Sequence, residues 1–243
     1  MRFDVAVAAF VVLPLLLVGV LGWGTAVAWR HSGATRKASM QAAAFAVTAA
    51  LLWMAVTWAA AKSGIFHNWD RTPPPFALLV LAILLLSAAI AFSPLGRRLA
   101  QWIPLWALVA VQAFRLPLEL AMHAMYTRGV MPQQMSYSGR NFDIVTGATA
   151  IIVSALVWSG RGGRRLVAAW NGLGLLLLIN VVIVAILGTP RFRYFGDDAL
   201  NTWVFDAPFV WLPAVMVLAA LAGHLVIFRA LGLARLPPSR TVG

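Results

Sequence analysis

The chain has no cysteine among its 243 residues, only two lysines, and few charges of either sign, with 11% charged residues. Without cysteine there are no disulfides, no thiolate nucleophile and no sulfur-ligated zinc or iron–sulfur cluster. The two lysines, Lys37 and Lys62, lie far from the last apolar segment, so a retinal Schiff base there is excluded. An HExxH motif, a paired-histidine motif and an internal repeat are all absent, and no pair of interrupted helices occupies matching positions. The last absence removes the best sequence pointer to an inverted-repeat transporter.

Apolar residues are abundant, at 62% of the chain, and they come in long blocks rather than in amphipathic spacing. Seven blocks reach or approach the roughly 20 residues that cross a bilayer as helix. They run from Val5 to Trp29, Met40 to Ala61, Phe76 to Phe92, Leu99 to Tyr126, Asp143 to Trp158, Leu166 to Leu187 and Pro208 to Phe228. The expected fold is therefore an all-α polytopic membrane protein of seven transmembrane helices, forming one domain over residues 1–235 with a flexible cytoplasmic tail at 236–243. Ala26-Val27-Ala28 has the form of a signal-peptidase site. Its apolar region is longer than that of a usual signal peptide, however, and Asp4 weakens the positive flank, so the first block is read as retained.

Charge distribution sets the orientation. With the amino terminus outside, one side holds Arg30, Arg36, Lys37, Arg97, Arg98, the Arg161–Arg165 cluster and the basic tail, with no acid. The other side holds all six aspartates among seven basic residues. By the positive-inside rule this places the amino terminus out and the carboxyl terminus in. The formal charge of +12 and the pI of about 11.7 are topological, and nucleic acid is not an expected partner. The expected partner is the lipid bilayer. The 11 tryptophans mostly sit near block ends, as an interfacial belt does.

The short basic connections read as turns, whereas Lys62 to Pro75, Thr127 to Phe142 and Gly188 to Ala207 are longer and chemically richer. The fourth block carries the main functional lead. Arg115, Glu119 and His123 recur every fourth residue, and at about 100° per residue Gln112 and Tyr126 fall in the same arc. Ionisable groups in a membrane segment face a bundle interior or a wet cavity, and they mark a site or hold helices together. The stripe is expected to open outward, with Arg140, Asn141 and Asp143 and the aromatic, acidic run from Arg191 to Trp211 as its rim. Arg115 and Glu119 also have the spacing of a pair across one helical turn. Glu119 and His123 have the spacing of two metal ligands, but the adjacent Arg115 repels a cation, so no metal is assigned and no cofactor is named.

His224 and the asparagines Asn171 and Asn180 read as interhelical hydrogen-bonding residues. Pro117, between Arg115 and Glu119, frees the carbonyl of Ala113 and promotes a bend.

Several stretches resemble those of uncharacterised bacterial multi-spanning inner-membrane proteins. They are Phe114-Arg115-Leu116-Pro117-Leu118-Glu119, Gly139-Arg140-Asn141-Phe142-Asp143-Ile144, Trp170-Asn171, Pro208 to Pro213 and Gly223-His224. The resemblance implies a bacterial inner membrane and the same topology, and it carries no activity. The reading that follows is a seven-helix protein whose outward-facing polar pocket binds a small or lipid-like ligand through Gln112, Arg115, Glu119, His123, Tyr126, Arg140, Asn141 and Asp143. The alternatives are a membrane-embedded enzyme with Glu119 and His123 as acid and base, and a helical scaffold subunit.

Overall fold

The computed structural model describes residues 5–233, and the expected tail at 236–243 lies outside them. The described residues form helices and turns with no strand. Helices α1 (Val5–His31), α2 (Arg36–Lys62), α3 (Pro75–Phe92) and α8 (Arg164–Leu187) correspond to the expected first, second, third and sixth blocks. Among the described residues six helical segments are long and apolar enough to cross a membrane.

The fourth block differs from expectation at its start. Residues from Leu99 do not begin the span, because Pro94–Trp102 forms a separate helix, α4. The Ser93 hydroxyl accepts the Gly96 N–H at its start, and Pro104 follows one residue beyond its end, after Ile103, where the missing N–H and fixed φ stop the helix. Helix α4 packs on α1, α3 and α9 (Leu218–Leu233). Its Arg98 guanidinium lies over the Trp29 ring at 4.1 Å. The span proper starts at Leu105 and consists of α5 (Leu105–Val111), a 3₁₀ turn (Gln112–Phe114) and α6 (Arg115–Thr127). The tight turn sits just ahead of Pro117, where the carbonyl of Ala113 has no N–H to take in the regular ladder.

The fifth block is also shorter than a span. Helix α7 (Ile144–Trp158) has 15 residues, about 22 Å of rise. The last block begins not at Pro208 but with a π-helical segment, Leu212–Val217, that continues into α9. Here Pro213 removes a backbone donor, and two tryptophans tie the segment to α2. Trp53 donates to the Ala214 carbonyl at 2.8 Å and Trp211 donates to the Met54 carbonyl at 3.1 Å. Trp53 is thus an anchor between α2 and this segment.

Helix α9 is the hub, packing on α3, α4, α5 and α8, while the π segment reaches α1, α2 and α3. The three long connections meet at one end of the bundle. His67 bonds Asp206 at 3.0 Å, Gln134 donates to the Ala199 carbonyl, and Phe10 sits edge-on to Trp203 and Phe209. At the opposite end Arg229 donates to the carbonyls of Ala91 and Ser93. The basic turns and the acidic loops therefore occupy opposite ends, the segregation that the charge pattern requires.

Candidate functional site

Arg115 lies ten residues in from Leu105, about 15 Å along the helix axis and near mid-bundle. From Arg115 to Thr127 three turns of α6 present one polar residue each, and one irregular segment supplies all three partners. His123 Nδ1 lies 2.8 Å from the Ser136 hydroxyl, and its ring stacks on Tyr137 with centroids 4.4 Å apart. Asn141 donates through Nδ2 to both oxygens of Glu119, at 2.9 and 2.8 Å. Arg115 donates through Nη1 to Asp143 at 2.9 Å. The chain from Thr127 turns back along α6, reaches the depth of Arg115 at Asp143, and there starts α7. This explains why α7 is short: the irregular segment covers the rest of the bundle length.

Non-helical backbone at such depth is tolerated only when protein surrounds it. Met131, Gln134, Met135, Ser136, Asn141 and Asp143 are all buried. The backbone satisfies itself locally, with Gly139 N–H on the Ser136 carbonyl and Arg140 N–H on the Gln134 carbonyl. Asn141 also donates to the Met135 carbonyl, and its Oδ1 accepts the Asp143 N–H. Gly147 lets α7 approach α6, because a Cβ there would run into the Leu116 amide.

The stripe is thus largely a docking track for this segment. Arg115 takes Asp143 as its ion-pair partner, with Nη1 2.9 Å from Oδ1, whereas Glu119 is held by Asn141. Asp143 precedes α7 but makes no side-chain cap, its carboxylate being turned to Arg115 instead.

Arg115, Glu119, Asn141 and Asp143 line one cavity of about 90 Å³. The other expected residues do not line it. Gln112 turns to α9, with Nε2 on the Ala220 carbonyl at 3.4 Å. His123 and Tyr126 lie toward the long-loop end, and exposed Arg140 sits 5.4 Å from the Phe195 ring while its carbonyl accepts from Asn180. Apart from its polar end, the cavity lining is mainly aliphatic and aromatic: Phe76 and Ile83 from α3, Leu118 from α6, Leu178 and Val181 from α8, and Met216 from the π segment. Buried Met135, Asn201, Val204 and Leu212 border it as well. Its partly exposed members, among them Leu84 on α3 and Val182 and Ile186 on α8, lie on helices that do not pack closely on each other.

Sequence reasoning missed Ser136, the cavity's apolar residues and the role of the π segment. Ser136 carried no periodic signal, being in a loop. His224 and Asn171 behave as the sequence suggests: Nδ1 of His224 lies 2.7 Å from Asn171 Oδ1, and Asn171 Nδ2 donates to the His224 carbonyl at 3.0 Å. Several buried polar atoms have no partner: Arg115 Nε and Nη2, Gln112 Oε1 and His224 Nε2. Among the described residues no group of three histidine or carboxylate side chains converges as a metal site.

The described residues form an all-helical bundle with six apolar segments of spanning length, which defines a multi-pass membrane protein. The chain belongs to the DUF8737 family, a domain of unknown function whose model matches residues 73–232. The match runs from the start of α3 to the end of α9, so it contains the whole cavity, the docking track and every stretch on which the sequence resemblance rested. No curated protein and no solved structure matches the chain.

Proposed function

We propose that this protein is a bacterial inner-membrane protein that crosses the bilayer seven times, amino terminus outside, and binds a lipid-like ligand in the half of the bundle facing outward. The seventh crossing is the composite of the irregular segment ending at Asp143 and helix α7. The observation that carries the ligand reading is the cavity itself, apolar over most of its wall and polar at one end, where Arg115, Glu119, Asn141 and Asp143 stand. An amphiphile matches that distribution; a soluble metabolite does not, because most of its polar groups would face hydrocarbon.

Size supports the same reading. Pockets that hold a whole drug-sized molecule run to roughly 300 Å³ or more, so a cavity of about 90 Å³ takes only part of a ligand. A gap between α3 and α8 lets the remainder lie in the bilayer, and it serves as the entry path. Acid–base chemistry by Glu119 and His123 has less support, since His123 does not line the cavity and both Glu119 oxygens are already bonded to Asn141.

The test is the lipid that co-purifies with the protein in mild detergent, extracted and quantified per chain. Val182→Phe narrows the gap at a half-buried position, so folding is retained. Retained lipid is expected to fall severalfold with little change in melting temperature. Equal lipid in both proteins would overturn the cavity as a binding site.

A further inference from the structure

Among the residues that line the cavity, Arg115 keeps one hydrogen-bonding edge unused. Arg115 is 1% exposed and spends Nη1 on Asp143, while its Nε and Nη2 have no hydrogen-bond partner. Those two nitrogens share one edge of the planar guanidinium and present parallel N–H bonds, the fork with which arginine takes oxygen acceptors. A buried donor left unmade is expensive, so an acceptor belongs there.

Charge decides what kind. The buried cluster holds one guanidinium and two carboxyl groups, those of Asp143 and Glu119. A further anion would add negative charge where dielectric screening is weak, whereas an uncharged acceptor adds none. The rest of the wall, with Phe76, Leu118, Leu178, Val181 and Met216, requires the acceptor to belong to an apolar molecule. We infer that the Nε/Nη2 edge of Arg115 receives an uncharged carbonyl oxygen of an amphiphile whose hydrocarbon part fills the cavity. This rests on the ligand reading above and adds the chemistry of the group that is recognised.

Three probes with the same chain length separate the terms: methyl laurate, dodecane and laurate, each offered to the full chain in detergent and measured as retained adduct by native mass spectrometry. Methyl laurate is expected to be retained about tenfold better than dodecane, as one or two hydrogen bonds from a charged donor provide. R115K keeps a positive charge for Asp143 but has no fork, and it should bring the ester down to the dodecane level while leaving dodecane unchanged. Infrared spectra of ¹³C-carbonyl methyl laurate on the unaltered protein give a second readout that needs no variant, and the bound carbonyl band should move to lower frequency.

An unshifted band would mean that the fork holds water only and would overturn the inference. Preference for laurate over the ester would overturn the uncharged acceptor. Equal retention of ester and dodecane, with Val182→Phe still lowering both, would sink the role of Arg115 and leave the cavity reading standing. Retention of no probe, with no effect of Val182→Phe, would sink the cavity reading itself.

Discussion

Glu119 is held by Asn141, 22 positions further along the chain, and not by Arg115 one turn away on its own face. A single amide nitrogen bridges both carboxylate oxygens, and the same side chain ties down the Met135 carbonyl and the Asp143 amide. Asn141 is therefore the clasp that joins the irregular segment to α6.

Asn141→Ala should accordingly be among the most damaging single changes in the bundle. It strips a buried carboxyl group of its donor and frees two backbone groups at once. A loss of about 2 to 4 kcal/mol is expected in detergent unfolding, larger than for a typical buried hydrogen bond. A change below about 1 kcal/mol would mean that the segment is held elsewhere.

The coupling partner of Arg115 is Asp143. Arg115→Met or Asp143→Leu alone leaves a buried charge unpaired and should cost about 3 to 5 kcal/mol, while the double variant should cost less than the sum. A double-mutant cycle between Arg115 and Glu119 should give the smaller coupling, because Asn141 rather than Arg115 holds the Glu119 carboxylate. Equal coupling in the two cycles would contradict the geometry.

Gly147 is required by contact with α6. Gly147→Ala places a methyl on the Leu116 amide and should cost about 1 to 3 kcal/mol by overpacking, since both sides of the contact are backbone-bearing helix. Gly172→Ala, where a Cβ meets nothing within 4 Å, is the control and should be neutral or slightly stabilising. Thermal unfolding of the two variants side by side decides the point.

Topology is open to a direct check. The chain has no cysteine, so Asp197→Cys, in an exposed loop at the long-loop end, gives a single label site. It should react with a membrane-impermeant thiol reagent on intact cells, and a reporter fused after Gly243 should be cytoplasmic. Labelling only after lysis would reverse the orientation and turn the cavity toward the cytoplasm.

Much of the architecture was legible from hydropathy and charge. Long apolar blocks have few options besides helices, because unpaired backbone groups are too costly in hydrocarbon. Segregation of eleven basic residues from all the aspartates marked the two ends. The four-residue spacing of Arg115, Glu119 and His123 announced a common face, and that face is buried where it matters. Block boundaries were less legible where proline intervened: Pro104 separates α4 from the span that follows, and Pro213 lies in the π segment.

What only the tertiary structure decided is which groups answer that face. Spacing along a helix brings Glu119 next to Arg115, yet the partners came from Ser136, Asn141 and Asp143, in a segment with no periodicity to read. The cavity is equally invisible in one dimension, since Phe76, Leu178 and Met216 are ordinary apolar residues until three helices bring them together. Local sequence dictates hydrogen bonding within a helix and the side of the membrane that charges prefer. The pairing of buried polar groups depends on which chain segments arrive at the same depth, and that is settled by packing the whole bundle.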